Sequence, residues 1–259
     1  MWITLKKILK LLAPPILPMM VVGIVNYRKN AARRGTPDIE LYKPLFSPWL
    51  LLPGEIADYK QIKKRTIISD ERLYVLRWAA LQALRLQAAN GPLCWFELGV
   101  YKGGTAGFLA DLAAQFNKSL PKHHLTVRLF DTFEGMPETN QRYDYHQLGD
   151  FSDTSLEAVQ RALGEGEHVS YHPGLIPETF GGLENDRLSF VHVDVDIYQS
   201  VLDGCEFVYQ RLVPGGIIIF DDYGFPSCPG ARKAVDMFFA DKEEEVLVLS
   251  AGQAMIIKL

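Results

Sequence analysis

The feature that most constrains this chain is a regular alternation that begins near residue 69. Short strand-like runs of four to six residues, 93–98, 125–130, 168–171, 188–193 and 217–220, are separated by segments with helical spacing or turn chemistry. The first helix is expected to start at Ser69 as its cap, carry Asp70 and Glu71 in its first turn, and stop at Asn90-Gly91-Pro92. Further helices are expected over 106–116, 154–163, 198–212 and 231–240, with Pro214-Gly215-Gly216 as a turn. Segments 246–249 and 254–257 flank Ala251-Gly252-Gln253 and read as a closing hairpin. Strands that alternate with helices imply parallel pairing and covered sheet faces. The expected fold is therefore α/β, a Rossmann-like doubly wound sheet with an antiparallel C-terminal hairpin strand, binding ligands at the C-terminal strand ends.

Composition agrees with one large globular domain. The chain has 259 residues, 48% apolar and 22% charged, which excludes a disordered or collagen-like chain. The three cysteines, Cys94, Cys205 and Cys228, are odd in number and none lies in CxxC spacing. Neither a disulfide framework nor a thiolate zinc site is expected, and a reducing compartment follows.

Charge is unevenly spread. Of 27 Lys and Arg against 31 Asp and Glu, seven basic residues and no acidic one fall within residues 1–37, which leaves the remainder at −11. So acidic a body is a poor partner for nucleic acid. In the head, Leu5, Ile8, Leu9 and Leu12 recur at helical spacing, with Lys6, Lys7 and Lys10 on the other side. That pattern describes an amphipathic helix for an anionic membrane surface. The uncharged stretch Leu11–Tyr27 is short for a span and is broken by Pro14, Pro15 and Pro18. A signal peptide fits badly, because Arg28, Lys29, Arg33 and Arg34 follow instead of a small-residue cleavage site. The expected organisation is a basic apolar segment over 1–35, a connector over 36–68 and the α/β domain over 69–259. The cytoplasm is the expected location, with peripheral contact at the inner membrane face through residues 1–34. The competing reading of the head is a helix packed on its own domain or on a sister subunit, which would make a homo-oligomer.

The ends of the apolar runs carry Glu97, Asp131, Asp194 and Asp221. Around Glu97 the sequence is E-x-G-x-x-x-G-G, with Gly99, Gly103, Gly104 and Thr105 leading into a helix. Glycines there allow a ligand close to the backbone, and an acid before the turn suits a cationic group better than a pyrophosphate. Asp131-Thr132-Phe133 ends the second run, where a carboxylate can accept from both hydroxyls of a ribose. Asp194-Val195-Asp196 and Asp221-Asp222 end two neighbouring runs. Four clustered carboxylates repel one another unless a cation or protons intervene, and an all-oxygen set suits Mg²⁺, Ca²⁺ or Mn²⁺. A D-x-D motif alone also occurs in metal-dependent glycosyltransferases.

These motifs, with Gly135-Met136-Pro137, Gly149-Asp150-Phe151-Ser152, Tyr198-x-Ser200 and the run from Pro229 to Val235, resemble the macrocin O-methyltransferase family (TylF, MycF and NovP type) over residues 60–245. The resemblance implies a class I S-adenosylmethionine (SAM) methyltransferase fold. It also implies a Mg²⁺-dependent enzyme that methylates hydroxyls of sugars or glycosylated substrates. By that resemblance Asp194, Asp221 and Asp222 hold the metal and Asp196 is the general base. Glu97, Gly99 and the turn through Gly103 and Gly104 to Thr105 line the methionine part of SAM. Asp131, with Thr132 and Phe133, meets the nucleoside, and Asp150 and Ser152 lie near the adenine. The acceptor is expected to be a glycosyl-containing small molecule or a lipid-linked glycan. Two other functions fit fewer of the motifs: a D-x-D glycosyltransferase and a non-catalytic SAM-binding protein. Zinc is not expected to replace magnesium, since no Cys/His set is present.

Overall fold

The computed structural model describes residues 62–259, apart from positions 91, 123 and 165. The head and most of the connector, with the amphipathic helix expected over Leu5–Leu12, lie outside the described residues. Among the described residues, no helix is long and apolar enough to cross a membrane.

The strands are β1 Cys94–Leu98, β2 Thr126–Asp131, β3 Val169–Pro173, β4 Leu188–Val193, β5 Leu212–Phe220, β6 Leu247–Val248 and β7 Ala254–Ile257. They form one sheet in the order β3-β2-β1-β4-β5-β7-β6. The first five pair in parallel, β7 runs antiparallel to β5, and β6 runs antiparallel to β7. The helices are α1 Asp70–Asn90, α2 Gly104–Ser119, α3 Leu156–Leu163, α4 Tyr198–Tyr209 and α5 Pro229–Phe239, with a 3-10 turn at Glu178–Phe180. The chain winds outward from β1 to β3, then returns to the other side of β1 at β4. The direction of winding thus reverses between β1 and β4, where an open α/β sheet leaves a crevice at its C-terminal edge.

Local chemistry explains the elements. Ser69 Oγ accepts from the Arg72 N–H at 3.4 Å and so caps α1. Leu73, Leu76, Ala80 and Ala83 form a fully buried stripe along that helix, which packs on β4 and β5. Every residue of β4 is buried, as a central parallel strand requires. Its polar Ser189 accepts from the Trp95 indole N–H at 3.0 Å. Alternation splits the side chains between faces. Phe96, Leu98, Val191, Val193, Ile218 and Phe220 join the core under α4 and α5. Glu97 and His192 are neighbours in the β1–β4 register on the other face.

One boundary differs from the expectation. Pro214-Gly215-Gly216 does not end an element but lies inside β5. The β4–β5 register slips there, between Leu188 and Phe190. Gly215, at φ +81°, gives its N–H to Lys258 O at 2.7 Å, and Lys258 N–H returns to Gly216 O at 2.8 Å. Pairing to the C-terminal segment absorbs the irregularity as a bulge.

Candidate active site

The crevice between the C-terminal ends of β1 and β4 is a cleft of about 1020 Å³ including its open mouth. Its floor is a close backbone crossing. Asp194 N–H donates to Leu98 O at 2.8 Å, and Gly99 N–H donates to Phe130 O at 2.9 Å. A Cβ on Gly99 would stand 1.8 Å from Asp194 O, and φ there is +88°. Only glycine meets both conditions, so the backbone itself forms this wall.

On one side of the cleft stands Asp131. Its Oδ2 accepts from the N–H groups of Val100 and Tyr101 at 2.7 and 2.8 Å, and its Oδ1 accepts from Phe133 N–H at 2.7 Å. Three backbone donors fix the carboxylate; two of them fill Oδ2, and the spare acceptor capacity is on Oδ1. Val100, Met136, Phe151 and Ile176 give the apolar walls.

On the other side lie Asp194, Asp196, Asp221 and Asp222. Asp194, Asp221 and Asp222 each bring a carboxylate oxygen within 4.8 Å of the others. Asp222 Oδ2 accepts from the Asp196 N–H at 3.0 Å. Burial, then the charge of Asp221, pushes Asp194 well above the usual carboxylate range. Asp222 is raised in the same way by burial, then by Asp196 and Asp194. Asp221 goes the other way. Burial would raise it, but His192, Arg72 and the amide of Gln253 outweigh that and hold it low. Gln253 Nε2 donates to Asp221 Oδ1 at 2.8 Å, and the Arg72 guanidinium pairs with Oδ2 while lying 4.7 Å from the Phe225 ring centroid. His192 Nδ1 contacts Glu97 Oε1 at 3.0 Å, and its Nε2 stands 3.7 Å from Asp221 Oδ1, an ionic contact too long for a hydrogen bond. Burial would lower His192, yet Asp221 and Glu97 raise it to about 10. These carboxylates therefore favour the protonated form of the buried His192 ring.

Asp196 occupies left-handed backbone at φ +58°, as do Tyr101 and Phe151 on the same cleft. Such strain costs about 1–3 kcal/mol per residue and gathers at functional sites.

The macrocin O-methyltransferase (TylF) family model matches residues 57–247. The chain belongs to this family. It is 30% identical over 191 residues to mycinamicin III 3''-O-methyltransferase of Micromonospora griseorubida, covering 69% of this chain and 71% of that one. It is also 30% identical over 180 residues to 8-demethyl-8-(2,3-dimethoxy-alpha-L-rhamnosyl)-tetracenomycin-C 4'-O-methyltransferase of Streptomyces olivaceus, covering 64% of this chain and 65% of that one. The structure of the O-methyltransferase NovP superposes with a TM-score of 0.63 at 25% identity, covering 75% of this chain and 82% of NovP. The protein is an O-methyltransferase enzyme with the family's α/β fold.

Within this TylF-family cleft, the site residues expected from sequence divide into two groups. Gly99, Thr105, Asp131, Thr132, Asp194, Asp196, Asp221 and Asp222 line one cavity. The others are placed elsewhere. Glu97 is fully buried behind the wall, turned to His192, with Oε2 unpartnered. Gly103 and Gly104 make close approaches to protein rather than to the cleft: a Cβ would meet Leu163 Cδ1 at 2.7 Å and Thr66 Cβ at 2.7 Å, respectively. Phe133 is buried outside the cavity lining. Asp150 and Ser152 are exposed, and it is Phe151 between them that reaches the cleft. Arg65, Thr66, Ile67, Ile68 and Arg72 line it too, although the first four fall in the stretch assigned above to the connector. Nothing in the local pattern marks Arg72, since its partner Asp221 lies 149 residues away.

Proposed function

We propose that this enzyme transfers the methyl group of SAM to a hydroxyl of a sugar or glycosylated acceptor, with magnesium held by Asp194, Asp221 and Asp222. The observation that carries the reading is one cleft with a backbone-braced carboxylate, Asp131, on one side and a mutually repelling carboxylate set on the other. The donor set fits a hard divalent cation. It is all oxygen, and burial with like charge makes two of its members poor anions until a cation arrives. When bound, magnesium supplies Lewis-acid polarisation of an acceptor hydroxyl. SAM supplies an electrophilic sulfonium methyl.

The residues of the chain do the rest. Asp131 accepts from a ribose hydroxyl through Oδ1, and Gly99 lets the ends of β1 and β4 approach closely enough to form the cleft floor. Arg72 and His192 keep Asp221 ionised. Asp196 takes the hydroxyl proton as the new O–C bond forms and the S–C bond breaks. The walls at Val100, Met136, Phe151 and Ile176 exclude water and hold the methyl in line with the attacking oxygen. The test is mass spectrometry of the full chain incubated with methyl-labelled SAM, Mg²⁺ and a panel of glycosides and lipid-linked glycans. A gain of one labelled methyl on a sugar hydroxyl is expected, and transfer only to non-glycosylated acceptors would overturn the acceptor class.

Asp131→Ala is expected to weaken SAM binding by about 10–100-fold, the worth of hydrogen bonds to a charged acceptor, as read by calorimetry. Unchanged affinity would remove Asp131 from the cofactor site.

The support for membrane contact is the cationic, apolar patterning of residues 1–34. Each basic residue near an anionic surface contributes about 1 kcal/mol. The full chain is expected to float with anionic liposomes at low salt and to be released at high salt. A chain starting at Gly35 that floats equally well would overturn this role.

A further inference from the structure

A second set of candidate ligands lies just behind Asp196. His146 Nε2 is 3.6 Å from Asp196 Oδ1, Cys228 Sγ is 3.4 Å from the same oxygen, and Cys228 Sγ is 3.6 Å from His146 Nε2. A tetrahedral ion with bonds of about 2.0 Å to nitrogen and oxygen and about 2.3 Å to sulfur separates its ligand atoms by about 3.3–3.6 Å. The three atoms already have that spacing. The outer contact agrees as well. His146 Nδ1 lies 3.1 Å from Asp150 Oδ2, the carboxylate–histidine arrangement that fixes the ring tautomer and turns the other nitrogen to a metal. Asp150 in turn is anchored by the Gln147 N–H at 3.0 Å. Imidazole and thiolate select zinc-like ions, whereas the Asp194, Asp221 and Asp222 oxygens suit magnesium.

We propose that His146, Asp196 and Cys228 form a binding site for a thiophilic divalent cation of the zinc class, separate from the Asp194/Asp221/Asp222 set, and that its occupation withdraws Asp196 from methyl transfer. The ion binds the neutral imidazole through Nε2, a carboxylate oxygen and a thiolate, and the Cys228 proton is released to solvent. A fourth position is left for water. The cation-binding half stands on geometry alone; the inhibitory half rests on Asp196 acting as the base proposed above.

The probe is Co²⁺ added to the Mg²⁺-saturated full chain, followed by its near-ultraviolet thiolate-to-cobalt charge-transfer band and displaced by Zn²⁺. One equivalent per chain is expected. The band should vanish in Cys228→Ser, and in Asp150→Asn zinc affinity should fall about 10–100-fold, with folding verified by circular dichroism. Zinc should also inhibit the wild type more strongly than Cys228→Ser, each compared with its own zinc-free rate. No thiolate band, or a band that survives in Cys228→Ser, would overturn the site. A thiolate band with undiminished wild-type turnover would overturn the inhibitory role alone. The Asp196→Asn rate, measured without zinc, judges the base assignment independently.

Discussion

Turnover of the Asp196→Asn enzyme is expected to fall by about 10²–10⁴-fold, the usual contribution of a positioned general base, while SAM affinity stays at the wild-type value. The substitution isolates the proton acceptor. Asp196 sits at φ +58°, where asparagine is as much at home as aspartate. Its backbone N–H still donates to Asp222, so the loop has no reason to rearrange. The side chain retains its size and loses its basicity. Comparing kcat with the calorimetric SAM affinity separates the two quantities. Wild-type turnover at neutral pH would transfer the role of base to another group.

Stripping divalent cations is expected to abolish methyl transfer, with recovery on adding Mg²⁺. Asp194→Asn is expected to reproduce much of that loss and to carry a second, independent signature in stability. In the wild type, burial and the negative charge of Asp221 oppose ionisation of Asp194. A carboxyl raised in the folded state costs stability above its unfolded pKa, because the unfolded chain ionises it freely there. Near neutral pH, the metal-free Asp194→Asn protein should therefore melt higher than the metal-free wild type, and this gain should fade as the pH falls toward the unfolded carboxylate range. Magnesium should do the reverse. It should raise the wild-type melting temperature, by about 2.7 kcal/mol of stabilisation at a hundredfold excess over its dissociation constant, and barely move the variant. Full activity in a chelator, or a variant that melts lower than the wild type without metal and responds to Mg²⁺ as the wild type does, would sink the magnesium assignment.

The alternation of apolar runs with helical segments determined the α/β sheet from sequence alone, because parallel strands buried on both faces must be apolar along their length. The same pattern marked the strand ends, and there Asp131, Asp194, Asp196, Asp221 and Asp222 do line one cleft. Local chemistry was legible for the same reason. The Ser69 cap needs only a hydroxyl three residues before the N–H that it satisfies.

The strand order β3-β2-β1-β4-β5 and the slip within β5 were decided only in three dimensions, and with them the partners of each side chain. Glu97 reads as a cofactor contact until the β1–β4 register sets it beside His192. Gly103 and Gly104 read as ligand-approach glycines, but the approaching atoms belong to Leu163 and Thr66. Their φ preference is written locally, while the identity of the neighbour is not. Arg72, His192 and Gln253 gather on Asp221 from α1, β4 and the turn before β7. The expectation that no Cys/His set exists is corrected in the same way, since Cys228 meets His146 across 82 residues. Helical and strand periods fix the face on which a side chain emerges, because each depends on a few consecutive dihedrals. Which distant group it meets there depends on crossover connections and register, and these are set by the packing of the whole sheet.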